Sequence, residues 1–261
     1  MKTSIYKMMS ELEENNIPFA LCTIINNAGS TPRHSGSKML VKADGEIFGT
    51  VGGGEVEQRA KKEAIKAIKN GKTNVLHYQL VDPEKGDPGV CGGQVDIYVE
   101  PVCPASKVVV IGAGHVGVMV AKLAKWTGFR VAISDDRPDL ISDDLKGELD
   151  EYWIGDIDQV PEHIQIDADS FIVLTTRGSD VDIQGLPVLL KTEADYIGVI
   201  GSKRRWAYTR KALTNELVPD KLFDKIHTPV GLDIGAETPQ EIAVSVMAEI
   251  IRSWRKHGED V

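Results

Sequence analysis

VVVIGAGHVG, residues 108–117, is a run of four β-branched apolar residues that breaks onto glycines at 112, 114 and 117. A run this short and this rich in Val and Ile reads as a buried strand, and the residues after it read as the start of a helix, opened by His115. In that strand–turn–helix setting the three glycines have separate uses. Gly112 permits the tight turn, Gly114 lets an anionic ligand approach bare backbone, and Gly117 lets helix and strand pack closely. Asp135 lies 18 residues beyond Gly117, at the end of the next apolar run, where a carboxylate meets a ribose diol; Asp136 is the neighbouring alternative. A sheet that binds nothing would keep the same glycines for packing alone.

Beyond Ser106 the pattern alternates. Strand 107–111 precedes a helix over 115–127, further strands fall at 130–134, 170–175 and 196–200, and a helix starts near Lys203. Alternating apolar strands and amphipathic helices predict a doubly wound parallel sheet. The last helix opens on Thr238-Pro239-Gln240-Glu241, a Thr-x-x-Glu capping box with proline in the first turn. The prolines of PVCPAS, 101–106, mark a linker, which divides the chain into domains 1–104 and 105–261.

The first domain reads as mixed α+β. A helix over 5–12 leads into an apolar strand at 19–25, and Asp44-Gly45 supplies a two-residue hairpin turn between strands at 38–42 and 46–51. Helix 55–70 carries acids early, lysines late and Gly71 as its stop. Strands at 75–81 and 94–99 flank the breaker-rich loop DPEKGDPGVCGG. Taken whole, the chain is α/β: a mixed N-terminal domain followed by a Rossmann-like one.

Composition excludes several partners. Thirty Lys plus Arg against 39 Asp plus Glu leave a net charge of −9, which repels a phosphate backbone, so nucleic acid is not expected. No stretch reaches the ~20 apolar residues of a membrane span, and a cytoplasmic protein is expected. Three cysteines, widely spaced and without a CxxC pair, fit a reducing compartment and argue against a zinc site. No metal-ligand spacing, Ser/His/Asp set or paired-carboxylate motif stands out, so no catalytic residue is assigned.

Four places offer binding chemistry. Gly52-Gly53-Gly54 precede Glu55 and Glu57 at a helix mouth, an arrangement that exposes main-chain amides. The loop NNAGSTPRHSGSK, 26–38, presents Arg33, whose guanidinium grips oxyanions, beside His34. Cys91 sits in a glycine-flanked loop, the accessible class of thiol. In IGSKRRW, Gly201 ends a strand and Lys203, Arg204 and Arg205 crowd a helix start, where cations oppose the dipole unless a phosphate is near; a solvated basic helix start, contacting acids elsewhere, is the other reading.

STPR with GSKMLV, GTVGGGEVE, GVCGGQVDIYVEP, VVVIGAGHVG, DDRP, YIGVIGSKRR and HTPVGLDIGAETPQEIAVSVMAEII occur in one order from Ala28 to Ile251. Together they resemble the xanthine dehydrogenase accessory factors, the XdhC/CoxI family. The resemblance implies a non-catalytic maturation factor that binds molybdenum cofactor, shields it during installation of a terminal sulfur, and delivers it to xanthine dehydrogenase or a related molybdoenzyme. A cysteine desulfurase is the implied partner. Carried over by motif, Arg33, Gly52–Glu55 and Cys91 belong to the N-terminal signature, and Gly112, Gly114, Gly117, Asp135 and Arg137 to the Rossmann part. Relatives commonly show Thr-Arg-Gly-His where this chain has Thr176-Arg177-Gly178-Ser179, which removes any imidazole there. On this reading the triple glycine gives access to a pterin and the second fingerprint holds a phosphate or nucleotide end. An NAD(P)-dependent oxidoreductase and a purely structural adaptor are the competing readings. A homodimer is expected from the usual symmetry of soluble oligomers.

Overall fold

The computed structural model describes residues 4–81, 88, 92–215 and 218–257. The chain forms two compact units that part between Pro104 and Ala105.

The first unit runs α1 (Ile5–Glu14), β1 (Phe19–Ala28), β2 (Lys38–Lys42), β3 (Ile47–Gly49), α2 (Gly54–Asn70), β4 (Asn74–Leu80) and β5 (Gly93–Val102). Its strands pair antiparallel in the order β3-β2-β1-β5-β4. Alternation of side chains along each strand assigns two faces. Ala20, Cys22 and Ile24 of β1 and Met39 and Val41 of β2 share a core with Val56, Ala60, Ala64, Ala67 and Ile68 of α2, whose alanines allow a close approach to the sheet. Phe19 and Leu40 face the other way, into a smaller cluster with α1. Burial pushes the Cys22 thiol up to about 12, so this cysteine is a packing residue and not a nucleophile. The turn closes over three residues, Ala43-Asp44-Gly45, and not the expected two: Lys42 N donates to Glu46 O at 2.9 Å, Gly45 N to Lys42 O at 2.9 Å, and of the three only Gly45 takes a positive φ, +85°. A bulge at Ile25 shifts the β1–β5 register, and the end of β1 then leads into the loop that carries Thr31 and Arg33. The expected linker is shorter than its prolines suggest, because Pro101 and Val102 still pair with β1.

The second unit contains β6 (Lys107–Ile111), α3 (His115–Trp126), β7 (Arg130–Asp135), α4 (Asp143–Glu148), β8 (Glu151–Ile154), α5 (Val160–His163), β9 (Ser170–Leu174), α6 (Ser179–Leu189), β10 (Tyr196–Val199), α7 (Lys203–Asn215), β11 (Ile226–His227) and α8 (Pro239–His257). The six strands are parallel in the order β11-β10-β9-β6-β7-β8. Counted from β6, this is the 3-2-1-4-5-6 arrangement of a dinucleotide-binding sheet. Both faces are covered. Val108, Val110, Val131, Ile133 and Val173 pack under α3 and α8, while Val109, Ile111, Ala132, Ile172 and Leu174 pack under α6 and its neighbours. Thr238 caps α8 as the capping box predicts: Glu241 N donates to Thr238 Oγ1 at 3.3 Å and Thr238 N donates to Glu241 Oε2 at 3.0 Å. These backbone donors hold the Glu241 carboxyl below its ordinary value. No helix among the described residues is long and apolar enough to cross a membrane.

Candidate functional site

In the parallel-sheet unit the strand order reverses between β6 and β9, so their C-terminal ends diverge and leave a crevice. The three glycines after β6 divide the labour there. A Cβ at Gly112 (φ +108°) would lie 2.7 Å from Thr175 O, and one at Gly117 only 1.8 Å from Gly112 O, so both are fixed by packing. A Cβ at Gly114 would meet nothing within 4 Å. Its backbone therefore faces open space, at the N-terminus of α3 where amides lack intrahelical acceptors. Thr175 Oγ1 donates to Gly112 O at 2.7 Å and ties the turn to β9.

A shallow crevice with a cavity volume of about 40 Å³ opens beside this turn, walled by Asp135, Asp136 and Arg137 after β7, Asp156 and Ile157 after β8, and Thr176 and Arg177 after β9. Asp135 faces inward, with its side chain 2% exposed. Its Oδ2 accepts from Ala113 N at 2.7 Å and Arg137 Nη2 at 2.9 Å, and its Oδ1 from Arg137 N at 3.0 Å and Nε at 2.8 Å. Four donors fill the lone-pair sites of one carboxylate. Asp135 thus fastens the glycine loop to β7, and the ribose-holding position expected of it is already occupied. Asp136 instead stands at the rim, 37% exposed, and accepts both terminal nitrogens of Arg177 at 2.6 and 2.7 Å. The Arg177 guanidinium holds the Asp136 carboxyl down at about 2. This ion pair links the loops after β7 and β9 across the switch point. On the α3 side of the glycine loop, a second and more open cavity is lined by Gly114, His115, Met119, Arg137, Leu140 and Pro239.

The basic cluster at the start of α7 is arranged differently from the phosphate site that its charges suggest. Gly201 (φ +132°) makes room for Arg205, whose Cδ would lie 2.8 Å from a Cβ there. Arg205 reaches the fully buried Asp182 of α6 through Nε at 2.9 Å and Nη2 at 2.7 Å. Its Nη2 also donates to Thr176 Oγ1 at 2.6 Å, and Thr176 donates to Asp182 Oδ1 at 2.5 Å. Arg205 is an internal brace for the loop after β9. Lys203 and Arg204 remain exposed.

In the antiparallel unit three sequence motifs meet at the end of β1. Gly93 lies so close to the loop that a Cβ would come within 2.4 Å of Ser30 O, and one at Gly29 within 2.9 Å of Gly92 O. Pro32 in turn sits 3.6 Å from where a Cβ of Gly52 would be. The loop is braced internally: Ser35 N donates to Asn27 Oδ1 at 2.8 Å and Thr31 Oγ1 to Arg33 O at 2.8 Å. This leaves Arg33 and His34 exposed. Gly52, Gly53 and Gly54 have φ of +140°, +76° and +57°, three successive left-handed residues that only glycine adopts without strain. Cβ atoms at Gly53 and Gly54 would meet nothing. Glu57 folds back to accept from Gly53 N at 3.2 Å and Thr50 Oγ1 at 2.5 Å. It caps its own helix, and Thr50 Oγ1 accepts the neighbouring Gly52 N at 3.2 Å, so both amides are bonded within the turn. Glu55 pairs with Arg59 on the helix surface at 2.9 Å. Cys91 lies outside the described residues, although Gly92 beside it belongs to this cluster. Among the described residues no group of three or more His, Cys, Asp or Glu could hold a metal ion.

Arg177, Asp182, Thr176 and Glu57 carry roles that the motifs do not announce. Arg177 was legible only through strand order, which places the end of β9 against the end of β6.

A family model for the XdhC Rossmann domain matches residues 108–250, and one for the XdhC and CoxI family matches residues 12–79. The uncharacterized protein YqeB of Escherichia coli is 34% identical over 251 residues, 95% of this chain and 46% of that protein. A probable xanthine dehydrogenase subunit of Bacillus subtilis is 32% identical over 62% of this chain and 47% of its own length. The molybdenum cofactor insertion chaperone PaoD of Escherichia coli is 23% identical over 92% of this chain and 84% of that one. The chain thus spans about half the length of the first two relatives. A solved xanthine dehydrogenase structure from Bacillus halodurans shares the fold, with TM-score 0.52 and 23% identity over 97% of this chain and 96% of the other.

Proposed function

The chain belongs to the XdhC/CoxI family, and from that premise we propose that it is a maturation factor which carries molybdenum cofactor to a molybdoenzyme of the xanthine dehydrogenase kind. It shelters the cofactor while a terminal sulfur is installed, a cysteine desulfurase being the partner, and then releases it to the apo-enzyme. Its working form is a cytoplasmic homodimer.

The observation that carries this reading is the meeting of Ser30–Arg33, Gly52–Gly54 and Gly92–Gly93 at one end of β1. Loop residues from three distant parts of the sequence are packed together there, and the result is a glycine-lined surface, with Gly52 N held by Thr50 Oγ1 and Gly53 N by Glu57, where the exposed Arg33 follows Pro32 in the chain. Such a surface suits a polyoxygenated, phosphate-bearing pterin, because glycines without side chains admit a flat ring system and the Arg33 guanidinium takes an oxyanion. Cys91 adjoins Gly92 in the chain and is the thiol to test beside this surface. The sequence likeness to a molybdenum cofactor insertion chaperone over most of both chains supports the same reading.

An NAD(P)-dependent oxidoreductase is the second reading, favoured by the crevice at the strand-order switch. Mass spectrometry of small molecules that co-purify with the protein under anaerobic conditions separates the two. A molybdenum-bearing pterin is expected; a nicotinamide dinucleotide, with the pterin absent, would overturn the carrier reading.

A further inference from the structure

We propose that two copies of this chain pair through the outer face of α3 and α8, each seating its Trp126 in an apolar groove of the other. The proposal names the surface of the homodimer put forward above and rests on that reading; the nature of the cargo does not enter it.

Trp126 ends α3 and is 82% exposed, more than any other large apolar side chain among the described residues. An indole carries on the order of 150–250 Å² of largely apolar surface, and a contiguous exposed patch of this kind marks a contact. Trp126 stands at the edge of an open groove of about 300 Å³ that runs between the two helices, lined by Met119 and Leu123 of α3 and by Ala243 and Val244 of α8. Val244 is itself half exposed. Met119 and Gln240 carry the groove on into the larger cavity, about 520 Å³, that reaches Leu140. The helical period accounts for this face. Val120, Ala121 and Ala124 of α3 and Val246, Met247 and Ile250 of α8 turn to the core, and Met119, Trp126 and Val244, offset from them, are left at the surface.

Three observations favour a second copy as the occupant. A projecting indole and an apolar groove lie side by side on one patch, so a twofold axis fills both grooves at once and leaves no knob over for a third chain. The patch is also electrically quiet. Lys122 is paired with Glu148 at 3.7 Å, Lys125 with Asp150 at 2.7 Å, Arg255 lies over the Trp254 ring at 4.1 Å, and Glu241 is spent on capping α8. A chain of net charge −9 repels its own copies over most of its surface, and a face whose charges are satisfied internally is where they can meet. The area suffices as well. Helices of 12 and 19 residues, each about 10 Å across, present roughly 450 Å² of flat footprint per copy, and interlocking side chains bring two copies to about the 1,000 Å² of a specific interface.

Sedimentation velocity of the whole chain over a wide concentration range tests this, with Trp126→Ala and Val244→Asp, both at exposed positions and checked for retained fold by circular dichroism. The unaltered chain should be dimeric, and each variant should raise the dimer dissociation constant at least about a hundredfold, because a central tryptophan is a typical hot spot and every lesion occurs twice across the axis. Dilution through the transition should also shift the tryptophan emission of the unaltered chain to the red, and that shift should be missing in Trp126→Phe, which keeps the other three tryptophans. A dimer equally stable in both variants would overturn this surface and leave the homodimer reading standing. A chain monomeric at every concentration would overturn both, and if such a monomer bound apo-xanthine dehydrogenase and lost that binding in Trp126→Ala, the face would belong to the client.

Discussion

Truncating Arg205 to alanine separates two explanations of the IGSKRR motif. The structure gives its guanidinium to Asp182, which is 0% exposed, and to Thr176. Removing one partner of a buried ion pair strands the other charge and typically costs about 3–5 kcal/mol. The lower end, about 3 kcal/mol, applies here, because the Arg205 side chain is itself 22% exposed and the Thr176 hydroxyl still donates to Asp182. In a unit of this size each kcal/mol moves the melting temperature by about 2–4 °C. Arg205→Ala should therefore lower Tm by roughly 6–12 °C, followed by far-ultraviolet circular dichroism. Arg205→Lys keeps the charge but not the fork, and should fall in between. The pair Asp182→Leu with Arg205→Met removes both charges and should recover most of the loss. A melting temperature unchanged in Arg205→Ala, together with a loss of anion binding, would refute the brace and restore Arg205 as a ligand cation.

Two further outcomes concern the crevice. Gly117→Ala puts a methyl 1.8 Å from Gly112 O and should abolish folding of the parallel-sheet unit, whereas Gly114→Ala meets nothing and should fold normally; proteolysis and thermal unfolding read the two effects. Because the Asp136 value is depressed to about 2 by Arg177, its contribution to stability is complete above the ordinary carboxylate value of about 3.9 and is lost as pH falls from there towards the folded value. Carboxyl carbon NMR should show this low midpoint in the unaltered protein and a return to the ordinary range in Arg177→Ala. An unmoved midpoint would disprove the pairing in solution.

The sequence carries most of the architecture because its strongest signals are local. The Val108–Ile111 run, the three glycines after it and the Thr238–Glu241 capping box each specify geometry within a few residues, and each forms where it reads. Short edge elements escape the same reading. β8 has four residues and β11 two, too few for a period to register, and Pro187 interrupts the pattern of α6. The site is less legible, since charge in a motif does not say whom it faces. Arg205 reads as a phosphate ligand until the fold brings Asp182 beneath it. Asp135 reads as a ribose ligand until Ala113 and Arg137 are seen to fill it. Glu57 reads only as one of the early acids of its helix until its carboxylate is seen to take Gly53 N. In all three a long-range or backbone partner decides the role, and no spacing rule encodes it.

The carrier account rests on the glycine surface at Gly52–Gly54 and on Arg33. Its most direct test is equilibrium binding of isolated molybdenum cofactor under anaerobic conditions to the unaltered chain, Gly53→Val and Arg33→Ala. Gly53→Val forces a β-branched residue to φ +76°, so Arg33→Ala, at an exposed loop position, guards against a mere folding defect. The account predicts saturable binding by the unaltered chain and at least about tenfold weaker binding by both variants, the loss of a charge-assisted contact being worth that much. Equal affinity in all three would contradict it.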